Sequence, residues 1–300
     1  MNASRLRGIF PAIPTPVQAD DTIDVPATRT LVTHLVQRGV DGLVPLGGTG
    51  EYGALAREER VRMAGICVET VAGRVPVVPG VLDPGFHDAL QAGKAFAGAG
   101  ADALMVVTPY YTNPTQLGVR DYFMRYADES PLPIMIYEIP YRTRVAITPA
   151  VLHELSRHER IIGMKACNTD MYHFLEVVAG VSDAFAVFSG EDTLFPLHVA
   201  AGAKGGVVVT ASVLPRTWRA IHDLASTGQL DQALALHRRL MPLMNLAFAE
   251  TNPGPLKSVM DLIGVDAPRV LAPLVPPAAD LQARLRVHLA QCLEAEAALA

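Results

Sequence analysis

Lys165 is the residue whose setting most clearly indicates chemistry. The chain has four lysines: Lys94, Lys165, Lys204 and Lys257. Lys165 interrupts the apolar segment "RIIGMKAC", where burying a charged amine is costly. Because burial lowers the pKa of an amine, a lysine in such a strand offers a neutral nucleophile that attacks a ketone and forms a Schiff base. The alternatives are a strand-end lysine that extends to solvent and a lysine that pairs with Glu138.

Two side chains near the preceding strand suit the same chemistry. Tyr137 lies at the end of the apolar stretch within segment 132–138. A tyrosine hydroxyl at this place on a neighbouring strand passes protons to the lysine amine and to the departing water. Arg142 follows in the next loop, where a guanidinium binds a carboxylate through two hydrogen bonds. Each has an ordinary alternative, a core tyrosine with a satisfied hydroxyl and a solvated arginine. Together with Lys165 they fit a Schiff-base site for a 2-oxo acid.

The segment "PLGGTGEYG" at 45–53 contains the G-x-G-x-x-G spacing of a dinucleotide-binding turn. That fingerprint requires the first β-α turn and an acidic residue at the end of the next strand. Here the glycines follow the second predicted strand, and Glu69, the acid at the appropriate distance, falls in a helical pattern. We therefore do not expect an NAD-dependent oxidoreductase. The glycines indicate a strand-end turn that presents backbone amides to a carboxylate.

Apolar strand-like segments alternate with helical segments through the first two thirds of the chain. The candidate strands are 8–17, 42–47, 75–81, 101–107, 132–138, 161–166, 185–190 and 205–210. Each is apolar nearly throughout, as is typical of parallel strands buried on both faces. These units predict an α/β fold, a (β/α)8 TIM barrel over 1–225, with a C-terminal helical extension over 226–300 that packs on it as one unit. The active site of such a barrel lies at the carboxyl ends of its strands.

Composition argues against several classes of partner. The net charge of −5 comes without a cluster of basic residues, so we expect no nucleic-acid binding. No apolar stretch reaches the length of about 18 residues that a membrane span needs, so we expect no membrane association. Cys67, Cys167 and Cys292 are odd in number and far apart, and the histidines show no metal-binding spacing. We expect reduced thiols, a cytoplasmic protein, no metal and no cofactor.

The order of its motifs resembles the dihydrodipicolinate synthase/N-acetylneuraminate lyase family of lysine-dependent class I aldolases. The matching motifs are "GGTGE", "TPYYTNPTQ", "IYEIPYRT", "IIGMKA" and "FSGED", and the resemblance extends from residue 8 to at least residue 264. Each motif alone is weak, but their coincidence is specific. The resemblance implies the barrel fold, a Schiff base with pyruvate or another 2-oxo acid, and a homotetramer built as a dimer of dimers.

The resemblance also implies a role for each matching residue. The catalytic roles are Schiff-base formation by Lys165, proton transfer by Tyr137, and contact across a dimer interface by Tyr111, which reaches into the neighbouring subunit's site. The substrate-binding roles are contact with the oxo-acid carboxylate by Gly48 and Thr49, contact with the second substrate's carboxylate by Arg142, and lining of the pocket by the backbone of Gly190.

The motifs point to more than one branch of the family. Arg142 and the segment "NPGPLK" resemble the dihydrodipicolinate synthase branch, in which the pyruvyl enamine attacks aspartate semialdehyde to give a 4-hydroxy-tetrahydrodipicolinate. Gly48 departs from that branch, because relatives carry a hydroxyl there for proton relay, although a bound water could replace it. A 2-keto-3-deoxy sugar-acid dehydratase or aldolase is the alternative, since "GGTGE" also occurs in such dehydratases. A non-catalytic oxo-acid-binding module is the alternative of another class.

Two further departures concern the surroundings of the site. Glu138 replaces the more usual asparagine and predicts a carboxylate near the entrance. The family's lysine-feedback cavity favours small, histidine or amide residues, but this chain has Tyr52, Arg57, Arg60 and Pro84 there, with Asp88 as the one acidic match. We therefore expect little inhibition by lysine.

Overall fold

The structure, a computed structural model, describes residue 1 and residues 5–299. Within these residues the strands of the sheet are β1 (Gly8–Pro11), β2 (Gly80–Val81), β3 (Leu104–Val107), β4 (Ile134–Glu138), β5 (Ile161–Ala166), β6 (Ala186–Ser189) and β7 (Gly205–Val208). All pairs are parallel, in the order β1-β7-β6-β5-β4-β3-β2. Every strand residue is buried, because the barrel interior covers one face and helices cover the other.

Segment 42–47 occupies the remaining place in the barrel, between β1 and β2. It is joined to its neighbours by two isolated parallel bridges, Ala12 with Val44 and Leu43 with Val77. Pro45, Pro76 and Pro79 lack the backbone N–H that a regular ladder needs, so this segment and most of the predicted strand 75–81 pair only locally. The predicted barrel fold is confirmed, with its second strand irregular and its third one short.

Helices follow the strands and form the outer layer. They are α1 (Val25–Gln37), α2 (Arg57–Val71), α3 (Phe86–Gly98), α4 (Gln116–Glu129), α5 (Pro140–Thr143), α6 (Pro149–Leu155), α7 (Met171–Gly180), α8 (Phe195–Ala200), α9 (Pro215–Ser226), α10 (Leu230–Ala247), α11 (Gly254–Lys257) and α12 (Ala279–Ala297). The sequence pattern predicts a helix over 191–202, but α8 begins only at Phe195. The preceding Asp192 carboxylate instead accepts hydrogen bonds from the backbone N–H groups of Val209 and Thr210, at 2.8 Å each.

The C-terminal helices rest on the end of the barrel. Helix α10 packs against α8 and α9, and α12 packs against α10. The sequence pattern predicts a helix over 255–263, but the structure divides this segment into α11 and a 3-10 turn at Met260–Ile263. The proposed division of the chain at residue 225 stays a prediction. None of the described helices combines the length and the apolar character needed to cross a membrane.

Candidate active site

A cavity of about 740 Å³ opens at the carboxyl ends of the strands. Its lining comes from the strand ends, the loops that follow them, and the segment after α10. The lining includes Gly48, Thr49, Tyr137, Arg142, Lys165, Cys167, Gly190, Glu191 and Asn252. A second cavity of about 700 Å³ lies at the opposite end of the barrel, beside Leu6, Phe185 and Lys204. The first cavity is the candidate active site, because TIM-barrel enzymes carry their chemistry at the carboxyl ends of the strands.

Lys165 and Tyr137 lie side by side at this end of the barrel. They are register partners on β5 and β4, and the Lys165 Nζ atom is 4.5 Å from the centroid of the Tyr137 ring. Lys165 is 5% exposed, which excludes a side chain extended into solvent. Burial, with a contribution from nearby Cys167, holds the pKa of Tyr137 well above its ordinary value. The pair therefore offers an amine and a neutral hydroxyl to one point of the cavity.

Glu138 faces away from this point, and the expectation of a carboxylate near the entrance is wrong. Successive side chains of a strand point to opposite faces, so Glu138 lies behind β4 when Tyr137 lines the cavity. Its Oε1 accepts a hydrogen bond from the backbone N–H of Ile147 at 3.0 Å and lies 3.6 Å from His173 Nε2. An ion pair between Glu138 and Lys165 is likewise excluded by this placement.

The turn after segment 42–47 brings Gly48 and Thr49 to the cavity wall. It is too tight for side chains at some positions: a Cβ atom on Gly50 would lie 2.6 Å from the backbone nitrogen of Leu46. Gly48 is different, since a Cβ there would meet only the Arg142 guanidinium, with Nη1 at 3.6 Å. Packing therefore admits a Cβ atom at position 48, in ordinary contact with Arg142.

Gly190 is required by the packing around Lys165. A Cβ atom at this position would lie 2.2 Å from Cys167 Sγ and 2.9 Å from Lys165 Cγ. The Gly190 backbone N–H donates to the Ala166 carbonyl oxygen at 2.7 Å, which keeps β6 close to β5 at this level. The absence of a side chain at 190 thus makes the space in which the lysine stem lies.

Arg142 and Tyr111 are placed differently with respect to the cavity. Arg142 comes from the short helix α5, directly after β4, and lines the cavity. Tyr111 follows β3 with a φ of 75°, is 90% exposed, and is not part of the lining of this chain's own cavity. The structure therefore brings six of the seven expected residues together, and the expected contact of Tyr111 with a neighbouring subunit's site stays a prediction.

Two residues of the cavity did not emerge as candidates from the sequence. Glu191 has a buried Oε1 atom without a hydrogen-bond partner among the described residues, and burial, reinforced by Asp192, raises its pKa to about 7. Asn252 donates from Nδ2 to Thr49 Oγ1 at 2.9 Å. The available signals were the acidic pair in "FSGED" and the asparagine that begins "NPGPLK".

A buried ion pair fixes the turn at 48–51 from behind. Lys257 Nζ donates to Glu51 Oε1 at 2.7 Å and to the Thr15 carbonyl oxygen at 2.8 Å. The other carboxylate oxygen of Glu51 accepts from the backbone N–H of Leu271 at 2.6 Å. Lys257 and Glu51 have side-chain exposures of 1% and 0%. The C-terminal extension therefore holds the turn that carries Gly48 and Thr49.

Comparisons with known proteins agree with this architecture. Residues 5–292 match the model of the dihydrodipicolinate synthetase family. A 4-hydroxy-tetrahydrodipicolinate synthase of Thermomicrobium roseum is 38% identical over 287 residues, which cover 96% of this chain and 95% of that protein. A dihydrodipicolinate synthase structure from Aquifex aeolicus aligns with a TM-score of 0.90 at 32% identity, covering 95% of this chain and 97% of that one.

A further solved structure is described as a monomeric dihydrodipicolinate synthase variant. It aligns with a TM-score of 0.93 at 29% identity and covers 97% of this chain and 98% of its own. The matches confirm the resemblance and extend it from the motifs to nearly the full length of the chain. The chain belongs to the dihydrodipicolinate synthetase family and is an enzyme of the class I aldolase type.

Proposed function

We propose that this enzyme forms a Schiff base between Lys165 and pyruvate or another 2-oxo acid. The observation that carries the proposal is a buried lysine beside a protonated tyrosine at the wall of the cavity. The unprotonated form of the Lys165 amine attacks the ketone carbon, and one of its protons passes through the Tyr137 hydroxyl to the former carbonyl oxygen, which gives the carbinolamine. Tyr137 donates a proton to the carbinolamine hydroxyl, which leaves as water, and the C=N bond forms. Transfer of a proton from the adjacent methyl group to the Tyr137 phenolate then converts the protonated C=N group to a nucleophilic enamine.

The remaining residues of the cavity suit the two carboxylates of a condensation. The backbone amides and hydroxyl at Gly48–Thr49 bind the carboxylate of the oxo acid, and Arg142 binds the carboxylate of the second substrate. The second substrate that we propose is aspartate semialdehyde, whose aldehyde carbon the enamine attacks. The amino group of that substrate then displaces the Lys165 amine from the C=N carbon, which closes the ring of 4-hydroxy-tetrahydrodipicolinate and frees the lysine. The names of the relatives at 34% to 38% identity support this choice.

A direct test of the Schiff base uses borohydride reduction in the presence of pyruvate. We expect mass spectrometry to locate a reduced pyruvyl adduct on the peptide that contains Lys165. Lys165→Ala abolishes the adduct, whereas Lys204→Ala, at the opposite cavity, retains it. An intact fold with no adduct at Lys165 for any 2-oxo acid would contradict the proposal and would favour a non-catalytic binding module.

Gly48 supports a second candidate, a 2-keto-3-deoxy sugar-acid dehydratase or aldolase using the same Schiff base. The observation that favours it is the missing side chain at Gly48, which supplies no hydroxyl to a proton relay. Purified enzyme is assayed with pyruvate plus aspartate semialdehyde and, separately, with 2-keto-3-deoxy sugar acids. We expect turnover of the first pair. We also expect Gly48→Ser to raise that turnover without lowering the melting temperature, and turnover of the sugar acids alone would replace our assignment.

The exposed Tyr111 supports a homo-oligomer in which one subunit completes the site of another. We propose a homotetramer, a dimer of dimers, in the cytoplasm, acting on small molecules without a metal, cofactor, nucleic acid or membrane. Native mass spectrometry should show dimers or tetramers, and Tyr111→Ala should lower turnover while leaving the adduct at Lys165. Only monomers with full activity would disprove the oligomeric part of the proposal.

A further inference from the structure

We propose that Asn252 is a positioning residue for substrate binding: its amide turns the Thr49 hydroxyl hydrogen towards the carboxylate of the bound 2-oxo acid. This inference rests on the proposed function, since it assumes that the cavity binds such an acid. It adds to that function a residue of the C-terminal extension, which lies 203 positions away from Thr49 in sequence.

The contact between the two side chains is short and shielded from solvent. Asn252 Nδ2 lies 2.9 Å from Thr49 Oγ1, and the two residues are 8% and 4% exposed. Both residues also belong to the wall of the cavity. Bulk water therefore competes little for this hydrogen bond, and the bond restricts the orientation of a hydroxyl that substrate would meet.

The direction of the bond determines what the hydroxyl offers to substrate. The amide nitrogen of an asparagine is a donor without acceptor capacity, so the Thr49 oxygen must accept. A hydroxyl carries one hydrogen and two lone pairs, and accepting from Asn252 leaves its own hydrogen free. Thr49 then presents a donor to the cavity, which is the polarity that an oxo-acid carboxylate needs.

Stability alone does not account for an asparagine at this position. Its Oδ1 atom is buried and has no hydrogen-bond partner among the described residues. A buried acceptor without a partner is destabilising, and an apolar residue would avoid that cost. The contact that remains is the one with Thr49, which points to a role in the cavity.

The extension holds Asn252 against the turn by a second, independent connection. Lys257 lies on the helix that starts two residues after Asn252, and its ammonium is bonded to Glu51 in the same turn as Thr49. The backbone N–H of Lys257 also donates to the Pro253 carbonyl oxygen at 3.0 Å. The distance between Asn252 and Thr49 is therefore fixed by the ion pair, and the amide needs only to orient the hydroxyl.

Because Gly48 has no side chain, the orientation of the Thr49 hydroxyl is more important for substrate binding. Within the turn 45–53 the other hydroxyl belongs to Tyr52, which donates to Asp83. Thr49 thus supplies the one aliphatic hydroxyl of this turn. Where a second hydroxyl is missing at position 48, a misdirected Thr49 has no neighbour in the turn that could replace it.

The test is a double-mutant cycle read by adduct formation at Lys165 over a range of pyruvate concentrations. We expect Asn252→Ala and Thr49→Val each to raise the half-saturating pyruvate concentration about 10-fold, the loss expected for one hydrogen bond to a charged group. The double variant should be no worse than Thr49→Val alone, because both changes remove the same interaction. Thr49→Ser keeps the hydroxyl, so adding Asn252→Ala to this variant should still raise the half-saturating pyruvate concentration about 10-fold.

A second variant keeps the shape of residue 252 and reverses the polarity of the contact. In Asn252→Asp the carboxylate accepts from Thr49, so we expect a rise in half-saturating pyruvate of more than about 10-fold, and a smaller rise when Thr49 is already valine. The inference would be overturned if the substitutions at Asn252 raised half-saturating pyruvate equally whether residue 49 is threonine or valine. It would also be overturned if Asn252→Ala or Asn252→Asp left half-saturating pyruvate unchanged. Either result would leave the proposed function intact. No adduct in the unsubstituted enzyme would overturn both.

Discussion

Glu191 places a carboxyl group in the same cavity as Lys165 and Arg142. Burial and the neighbouring Asp192 raise its pKa to about 7, while Lys165 opposes this shift by favouring the charged form. The carboxyl is therefore protonated in a large fraction of molecules near neutral pH. Its folded-state pKa lies above the ordinary value of 4.5, so ionisation opposes folding.

The stability of the enzyme should consequently fall as this carboxyl ionises. A group whose pKa is raised on folding contributes stability that is fully present below pH 4.5 and is lost as pH rises through 7. We expect Glu191→Gln to leave stability unchanged near pH 4.5 and to increase it by on the order of 2 kcal/mol at pH 8. Urea denaturation at both pH values measures the difference. Glu58→Gln, at an exposed site, is the control and should show no such difference between the two pH values. If both variants changed the free energy of unfolding equally with pH, buried Glu191 would not be the cause.

Residues of the candidate active site could be predicted from the sequence where the residue type at a single position indicated its role. Lys165 and Tyr137 stand out because a charged or hydroxyl-bearing residue ends an apolar strand, and adjacent strands align such ends. Asn252 could not be found in this way. The role of Asn252 depends on its contact with Thr49, and no local sequence pattern predicts that these two distant positions are in contact. The raised pKa of Glu191 likewise comes first from burial, which no local sequence pattern expresses.

Lys257 and Glu51 show how one element supports another. Removing the cation should leave a buried carboxylate with no charged partner, which costs far more than the intact pair contributes. We expect Lys257→Met to lower the free energy of unfolding by about 3–5 kcal/mol. Thermal and urea denaturation measure this loss. Adding Glu51→Gln should recover part of it, because no ionised carboxylate remains.

Lys204→Met is the matched control for this prediction, since Lys204 is exposed and forms no ion pair within the described residues. A loss of similar size in both lysine variants would show that the buried pair is not the cause.

At the scale of elements, the alternation of strand-like and helical segments in the sequence predicted the barrel. The irregular strand at 42–47 was not predicted, because its apolar pattern is that of a strand while its prolines prevent regular pairing.

Regulation concerns the whole molecule, and the family resemblance implies a site for regulatory lysine around Tyr52 and Asp88, where we expect this chain to depart from the usual residues. Tyr52 donates its hydroxyl to Asp83, and the Arg60 guanidinium lies 4.0 Å from the Tyr52 ring centroid and 3.2 Å from Asp83 Oδ1. The acidic match, Asp88, is paired with Arg57 at 2.8 Å. These contacts occupy the groups that a lysine ligand would need.

Lysine should therefore inhibit the enzyme little. Initial rates measured with increasing L-lysine should change little, and calorimetry should detect no stoichiometric binding at the same concentrations. Arg60→His combined with Tyr52→Ser would open the region and serves as a comparison. Saturable, stoichiometric inhibition of the unsubstituted enzyme would contradict the prediction.

The ion pair between Lys257 and Glu51 also has a consequence for the growing chain. Glu51 leaves the ribosome more than 200 residues before Leu271, whose N–H completes its surroundings. At ordinary rates of synthesis this interval is about 10–40 s. For most of that time the barrel segments emerge while the turn that carries Thr49 has neither Lys257 nor Asn252. We expect nascent chains that end before residue 252 to bind an oxo acid more weakly than the full chain, so that full substrate binding is acquired late in synthesis.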